Sequence, residues 1–235
     1  MRPIGFSTGA LALGDFERAL RMLRGRAVEV VELSALRERE LAPLVDSAAR
    51  LGLEQFRHVA VHAPSRIAPG HEPAVVEQLA SLAARGWPVV LHPDAVSDWA
   101  LWRPLGAALL VENMDRRKAT GRTADELAAA LDRVPEAGLC LDVGHAHQQD
   151  PTMAGARLIL ERFGARLREV HLSHVTSSSA HERLSRDALL AARAVAALIP
   201  EQIPIVLETP VTEEQIDEEL RAARAALAAL EPRRG

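Results

Sequence analysis

Residues 138–145 read Gly-Leu-Cys-Leu-Asp-Val-Gly-His, in which a short apolar run ends at the carboxylate of Asp142. Similar runs rich in Val, Ile and Leu recur along the chain, and each is followed by a longer segment with the apolar spacing of a helix. Most of these runs are continuously apolar, which is typical of parallel strands that helices cover on both faces. We therefore predict eight strands, at residues 4–7, 28–33, 58–62, 89–92, 108–112, 138–142, 169–173 and 205–208.

The segments between the predicted strands carry helix signals. Thr123 with Glu126, and Thr212 with Gln215, have the spacing of capping boxes at helix starts. Residues 94–105 are a weaker helical candidate, because this segment contains two tryptophans and a proline. We expect a short or irregular helix there.

Eight strand-helix units in 235 residues fit a (β/α)8 barrel, for which about 250 residues is typical. The structural alternative is a doubly wound open sheet. No Gly-x-Gly-x-x-Gly turn follows any predicted strand, and eight units close a barrel without remainder. We therefore expect an α/β fold in which residues 1–235 form a single (β/α)8 TIM barrel domain.

The composition narrows the class of protein. Hydrophobic residues make up 48% and charged residues 26%, which excludes disordered, collagen-like and disulfide-scaffold chains. The 28 basic and 32 acidic residues give a net charge of −4, so no general field attracts nucleic acid or an anionic membrane. The lone cysteine, Cys140, favours a reducing compartment, and we expect a cytoplasmic protein.

Signals for export or membrane insertion are weak. No apolar run approaches the roughly 18 to 20 residues of a membrane span. Arg2 and the apolar residues after it resemble a signal peptide superficially, but Gly5, Gly9 and the hydroxyl residues between them interrupt the stretch, and Asp15 follows at once. A first strand that turns into a helix explains this segment better.

Polar side chains collect at the carboxyl ends of the predicted strands. In a parallel barrel these ends face one mouth, so residues far apart in sequence converge there. A single acidic or imidazole side chain at a strand end can be explained as a hydrogen-bonded structural group, whereas seven at equivalent positions are hard to explain in that way. The seven are Glu32, His62, His92, Glu112, Asp142, His171 and Glu208.

Four of these residues, Glu112, Asp142, His171 and Glu208, come from the last four strands and combine three carboxylates with one imidazole. Carboxylates packed together need a counter-charge, and a divalent cation supplies one. The mixture suits one Mn, Zn, Mg or Co ion better than a thiolate site. Cys140 lies on the same side of its strand as Asp142, and we expect it to be buried as a small apolar residue.

The strand ends, taken in order, resemble the xylose isomerase-like barrel superfamily, which includes sugar and sugar-phosphate isomerases and epimerases and the apurinic endonucleases. The resemblance covers nearly the whole chain. The strings that carry it are Val61-His62-Ala63-Pro64, Val111-Glu112-Asn113, Leu141-Asp142-Val143-Gly144-His145, Val170-His171-Leu172-Ser173 and Leu207-Glu208.

The isomerase branch of this superfamily implies one divalent metal held by Glu112, Asp142, His171 and Glu208. There, Glu112 and Glu208 would also exchange protons with carbons next to a carbonyl, through an enediolate. The resemblance also implies substrate contacts. The candidate substrate-binding residues are His145, His62, His92 and Glu32.

The apurinic endonuclease branch uses more ligands, and this chain can place His62, His92, His145 and His181 onto that pattern. His181 is therefore a candidate ligand of an additional metal. Ser179 stands where an aspartate is expected before His181, which departs from the pattern for a third metal. The net acidic charge and the absence of tyrosine make nucleic acid an unexpected partner.

The chain departs from the isomerase branch as well. His174 follows Ser173 where an acidic residue is usual, and the next loop lacks the glycines of a His-x-Pro-x-Gly-x-Gly segment. Several arginines after the third, fifth and seventh strands would matter for a phosphorylated substrate. They are Arg66, Arg116, Arg117, Arg183 and Arg186.

Three functional hypotheses follow. The first is a metal-dependent isomerase or epimerase of a small sugar or sugar-like hydroxycarbonyl compound, without a membrane partner and with the potential to form a homo-oligomer. The second is a zinc-dependent phosphodiester hydrolase of the apurinic endonuclease type, with two or three ions. The third is a non-catalytic barrel with a decayed site that binds a ligand or partner.

Overall fold

The computed structural model of the protein describes residues 2–228. This part of the chain contains ten strands: β1 (Ile4–Ser7), β2 (Val30–Ser34), β3 (His58–His62), β4 (Val89–Leu91), β5 (Leu109–Glu112), β6 (Gly138–Asp142), β7 (Leu167–Leu172), β8 (His174–Val175), β9 (His181–Glu182) and β10 (Ile205–Leu207). All but β8 and β9 pair in parallel and close into a barrel in the order β1-β10-β7-β6-β5-β4-β3-β2. The expected (β/α)8 fold is therefore confirmed. β8 and β9 form a small antiparallel pair at the carboxyl end of β7.

Helices connect successive barrel strands. The α-helices are α1 (Thr8–Ala12), α2 (Phe16–Leu23), α3 (Glu38–Ser47), α4 (Glu72–Ala83), α5 (Trp99–Trp102), α6 (Ala124–Leu131), α7 (Val143–Gln149), α8 (Ala154–Phe163), α9 (Arg186–Val195) and α10 (Ile216–Leu227). Short 3₁₀ segments lie at Pro93–Ala95, Arg103–Ala108, Gly164–Arg166, Ala196–Leu198 and Glu213–Gln215. Among the residues that the structure describes, no helix combines the length and apolarity needed to cross a membrane.

The apolar core lies between the barrel and its helices. Alternation along each strand points Phe6, Leu33 and Val111 outward, where they are buried against the helix layer. The same alternation points Val90, Leu110 and Cys140 inward, and these three form a separate apolar cluster. Cys140 is fully buried, as expected for a small apolar residue. The barrel interior above this cluster is polar, which is unusual for a packed core and marks a site.

The strand boundaries differ from the predictions where charge interrupts an apolar run. β7 begins at Leu167, two residues earlier than predicted, because the exposed Arg168 interrupts the apolar pattern at the start of the strand. β4 and β10 end one residue early, at Leu91 and Leu207.

The segment after β4 is irregular, as predicted. A 3₁₀ turn, the one-turn helix α5 and the 3₁₀ segment Arg103–Ala108 replace a regular helix. Trp102 is fully buried, and its Nε1 donates to Glu72 Oε1 over 2.6 Å. Trp99 also packs against the core, so these side chains hold the helix layer in place.

The two predicted capping boxes have different outcomes. At Thr212 the reciprocal side-chain and backbone hydrogen bonds with Gln215 both form. At Thr123 only half of the box exists: its hydroxyl accepts from Glu126 N, whereas the Glu126 carboxylate binds the backbone and guanidinium of Arg122. An arginine directly before the cap therefore competes for the glutamate.

Gly5 tests how tightly the barrel closes between β1 and β2. A Cβ at this position would lie 1.6 Å from the carbonyl oxygen of Val30, the residue paired with Gly5. We expect Gly5→Ala to lower the free energy of unfolding by about 3 kcal/mol or more, because backbone atoms have to separate. Urea unfolding followed by circular dichroism measures this.

Gly164→Ala is the matched control. Its φ is −56°, and a Cβ there would meet no atom within 4 Å, so we expect a change within about 0.5 kcal/mol. A stable Gly5→Ala variant would contradict the tight pairing of β1 with β2.

Candidate metal centre

Residues from neighbouring strand ends build the centre. β5 ends at Glu112, β6 ends at Asp142, His171 lies within β7, and Glu208 follows β10 directly. The side chain of Asn113 ties two of these ends together, since its Oδ1 accepts from Asp142 N over 2.7 Å and its Nδ2 donates to Asp142 O over 2.9 Å.

The structure brings Glu112, Asp142, His171 and Glu208 into one group. One donor atom of each residue lies within 4.8 Å of every other, close enough to share one cation. The side chains of Asp142 and His171 are fully buried and that of Glu112 nearly so, whereas the side chain of Glu208 is 13% exposed. Glu208 is therefore the member of the group that faces the mouth.

Unpartnered atoms show that this group fits a cation. Among residues 2–228, Glu112 Oε1, Asp142 Oδ2 and His171 Nδ1 are buried without a hydrogen-bond partner. A buried polar atom without a partner costs free energy, yet these three belong to one cluster. His171 Nδ1 lies 3.5 Å from Glu112 Oε1. A divalent cation would satisfy all three atoms at once.

A second group shares Glu112. His92 Nε2 and His62 Nε2 lie 3.1 and 3.3 Å from Glu112 Oε2, and one donor atom of each of the three residues lies within 4.8 Å of the others. His62 Nδ1 is 2.7 Å from Ala63 O, so this nitrogen carries the proton and donates to the carbonyl. Nε2 of His62 is then the atom that faces Glu112. The carboxylate of Glu112 thus has one oxygen in each group.

The electrostatics of the centre follow from burying opposite charges together. Burial disfavours the ionised form of Glu112, but the surrounding imidazoles outweigh it and hold the pKa of this carboxyl well below its usual range. Burial also disfavours charged His62 and His145, yet nearby carboxylates raise their pKa values to about 9 and about 10. For Asp142, burial dominates and raises the pKa to about 6.

The other predicted residues border the same centre. His145 Nδ1 lies 3.4 Å from Glu112 Oε1 and 3.5 Å from Asp142 Oδ2. His181 Nδ1 lies 3.4 Å from Glu208 Oε2 and 2.9 Å from Ser173 Oγ.

Glu32 is fully buried below the centre, with its Oε2 at 3.2 Å from His171 Nε2. The structure thus places Glu32 away from the cavity, behind His171, so the predicted substrate contact is not formed by this residue.

Ser179 occupies the position before His181 where an aspartate was expected, and it is hydrogen-bonded to the carboxylate of Asp115. Ser179, at a φ of +59°, donates its hydroxyl to Asp115 Oδ1 over 2.6 Å. Asp115 is buried in the loop after β5. Sequence spacing could not reveal this pair, because it joins loops 64 residues apart.

Glu169 and His58 had no predicted role in the site. Glu169 is fully buried inside the barrel and contacts both His58 and His171. Its position two residues before His171 is the one signal in the sequence, since this spacing puts both side chains on one face of a strand.

The mouth contains a cavity of about 340 Å³. It is lined by the polar side chains of His62, His92, His145, His181 and Glu208, here called the polar wall, and by apolar residues that include Ala10, Leu13, Leu36 and Pro210. No arginine or lysine belongs to this lining within the described part of the chain. A pocket of this size suits a small molecule.

Three of the five arginines considered for phosphate binding have partners elsewhere. Arg116 and Arg117 donate to the carbonyls of Ser177 and Ser178, and Arg183 pairs with Glu218 and Glu219. These contacts hold loops together at the mouth.

Fold and site together define a (β/α)8 barrel whose carboxyl-terminal mouth gathers carboxylates and imidazoles that could hold a divalent metal. The profile of the xylose isomerase-like TIM barrel family matches residues 32–230, and the chain belongs to this family. No curated protein matches the chain.

Solved structures with the same fold have several activities in their names. Endonuclease IV from Thermus thermophilus is 19% identical, with a TM-score of 0.64 over 97% of this chain and 99% of that one. A xylose isomerase-like TIM barrel protein from Mycobacterium smegmatis in complex with magnesium is 15% identical, with a TM-score of 0.58 over 97% and 98%. A proposed sugar phosphate isomerase/epimerase from Anabaena variabilis is 15% identical, with a TM-score of 0.54 over 94% and 88%. At these identities the likeness establishes the fold.

Removing one ligand tests the centre directly. We expect Asp142→Asn to weaken Zn²⁺ and Mn²⁺ binding by about a hundredfold or more, since even partners of metal ligands contribute roughly 10–100-fold. The amide keeps an oxygen that can cap α7, so the fold should persist. Competition with a chromophoric chelator measures the affinity.

His147→Gln is the control, because His147 lies on the same helix α7 but belongs to neither ligand group. It should bind metal like the wild type. Zn²⁺ at a free concentration of about 100 times its Kd should raise the free energy of unfolding of the wild type by about 2.7 kcal/mol. An unchanged free energy of unfolding would argue against the metal centre.

Proposed function

We propose that residues 1–235 act as one (β/α)8 barrel enzyme that isomerises or epimerises a small sugar-like hydroxycarbonyl compound with the help of a divalent metal ion. The observation that carries this proposal is the meeting of Glu112 and Glu208 with Asp142 and His171 directly below a cavity of about 340 Å³. The buried free thiol of Cys140 is in keeping with a reducing compartment, and we place the enzyme in the cytoplasm.

Glu112, Asp142, His171 and Glu208 would hold the ion. A bound divalent cation supplies Lewis-acid polarisation of a substrate carbonyl and its neighbouring hydroxyl, which acidifies the adjacent C–H bond. The protein has to supply the base, and Glu208 suits this role because it lines the cavity. Burial disfavours its ionised form, but the nearby imidazoles of His171 and His181 outweigh this and hold the pKa of its carboxyl well below the usual range.

Glu112 is the second proton carrier in this proposal. Both of its oxygens point into the centre, one in each ligand group, and the side chain is 1% exposed. Its carboxylate lies among four imidazoles, which favour the ionised form, and its burial keeps bulk water away. The imidazoles are those of His62, His92, His145 and His171. Two such carboxylates can remove a proton from one carbon and return it to a neighbouring carbon or to the opposite face.

The histidines of the polar wall would bind the substrate oxygens. His62, His92 and His145 line the cavity beside Glu208. Burial disfavours the charged form of His145, but surrounding carboxylates raise its pKa to about 10, which makes this imidazole a donor towards carbonyl and hydroxyl oxygens. A small polar substrate is thereby oriented over the metal ligands.

A second candidate function is a zinc-dependent phosphodiester hydrolase. The specific observation in its favour is that Glu112 is shared between two ligand groups, since a pair of metal ions can activate a water and stabilise a leaving oxygen. Against it stand the arginines already bound to carbonyls and glutamates, and the net charge of −4. Metal stoichiometry separates the two candidates.

The first experiment is the metal content of untagged protein purified without chelator, determined by mass spectrometry. About one Mn, Co, Mg or Zn ion per chain favours the isomerase and directs a screen to ketoses, aldoses and their phosphates in D₂O. Two or three zinc ions favour the hydrolase and direct the assay to oligonucleotides with apurinic sites. No ion after reconstitution would contradict both enzymes and leave a ligand-binding barrel.

Glu208→Gln should abolish exchange of the substrate C–H proton with solvent, because the amide cannot accept a proton. We expect a loss of about 10²–10⁴-fold in deuterium incorporation, measured by NMR at metal concentrations that load the variant. Glu112→Gln should lose exchange to a similar degree.

Glu182→Gln is the matched control. Glu182 is an exposed carboxylate next to His181 on β9 and belongs to neither ligand group. It should retain exchange. Full activity in either Glu112→Gln or Glu208→Gln would overturn the two-carboxylate mechanism.

A further inference from the structure

A histidine–glutamate pair, His58 with Glu169, lies on the far side of His171 from the mouth. Alternation along β7 puts Glu169 on the same inward face as His171, one step closer to the barrel floor. Glu169 is fully buried. Its partner His58 is the first residue of β3, at the opposite end of the barrel from the mouth, and its side chain is 24% exposed.

Hydrogen bonds connect the three residues in a line. His58 Nε2 lies 2.5 Å from Glu169 Oε2, and Glu169 Oε1 lies 3.1 Å from His171 Nε2. Glu169 thereby uses both of its carboxylate oxygens. The other ring nitrogen of His171, Nδ1, has no hydrogen-bond partner among the described residues and faces Glu112 and Glu208.

The same residues could be taken for another metal site, since donor atoms of Cys140, Glu169 and His171 lie within 4.8 Å of one another. The hydrogen bonds of Glu169 argue against a metal ion at this second group. At the mouth, three ligand atoms lack partners in the part of the chain described, whereas both oxygens of Glu169 are hydrogen-bonded to imidazoles. Glu169 therefore needs no cation, whereas the unpartnered atoms of Glu112, Asp142 and His171 at the mouth call for one.

Glu32 is a competing acceptor for the same ring nitrogen. Its Oε2 lies 3.2 Å from His171 Nε2, but this oxygen makes no hydrogen bond with any residue from 2 to 228. Glu32 instead accepts through Oε1 from Ser34 Oγ. The geometry therefore favours Glu169 over Glu32 as the acceptor of the His171 proton.

We infer that Glu169 is a positioning residue for the metal centre. It accepts the Nε2–H of His171, which fixes the tautomer and the ring plane so that Nδ1 presents its lone pair to the ion. His58 holds Glu169 in place from the barrel floor. This inference rests on the proposed metal centre and concerns metal affinity rather than the identity of the reaction.

The test is Zn²⁺ affinity, measured by competition with a chelator, in Glu169→Gln, Glu169→Leu and Glu32→Gln. We expect Glu169→Leu to bind Zn²⁺ about 10–100-fold more weakly than the wild type, because His171 loses its charged acceptor. Glu169→Gln should show a smaller loss, since its amide oxygen still accepts from Nε2–H. Glu32→Gln should show a smaller loss than Glu169→Leu.

NMR of zinc-loaded protein with ¹⁵N-labelled histidine reports the ring N–H signal of His171, which a loss of stability alone would not change. In the wild type, His171 should carry its proton on Nε2, at low field because the acceptor is charged. Glu169→Gln should shift this proton upfield. If Glu169→Leu does not fold, Glu169→Gln carries the test alone through this signal.

Glu72→Gln is the matched control for removing a buried, hydrogen-bonded carboxylate. Glu72 accepts from Trp102 and Ser97 in the helix layer, so its replacement should lower stability and leave Zn²⁺ affinity unchanged. An unchanged affinity in folded Glu169→Leu, an unchanged proton signal in Glu169→Gln, or a larger effect in Glu32→Gln would overturn the positioning role. A wild type that binds no Zn²⁺ would instead contradict the proposed metal centre itself.

Discussion

The rest of the mouth depends on one buried carboxylate, that of Glu112. Its Oε1 faces His145 and His171, and its Oε2 faces His62 and His92. A carboxylate that is 1% exposed is tolerated only where opposite charge or a cation offsets its lost hydration. The imidazoles that provide this charge come from four other strands and loops. The barrel therefore has to close in one register for Glu112 to be buried at all.

Strand pairing delivers this register. Glu112 pairs with Cys140, and Asp142 pairs with His171, so the candidate ligands follow one another around the barrel wall. Along each strand, alternate residues face the helix layer, where leucine and valine are buried. A slip of one residue would turn the ligands into that apolar layer and the leucines into the centre. Hydrophobic burial outside the barrel thus maintains the polar arrangement inside it.

Sequence patterns predicted the barrel and the mouth, because the apolar runs and the polar residues that end them are local features. Glu112 and Asp142 end their strands, and His92 and Glu208 follow theirs by one residue. Contacts between distant segments left no such pattern. Glu169 meets His58 across 111 residues, and the exposed Arg168 before it obscured the start of β7. The partners of the mouth arginines depend on loop conformations that spacing does not encode.

Asp142 joins two tasks in one side chain. Its Oδ1 accepts from His145 N over 2.6 Å and begins α7, while its Oδ2 faces the cluster at the mouth. In an enzyme of the kind proposed, selection for a stable helix start and selection for chemistry would act on the same carboxylate. In a descendant that had lost activity, an aspartate here would still be retained for folding. Glu208, which caps no helix and faces the cavity, would be free to drift, so its loss would be the earlier record of a lineage that had abandoned catalysis.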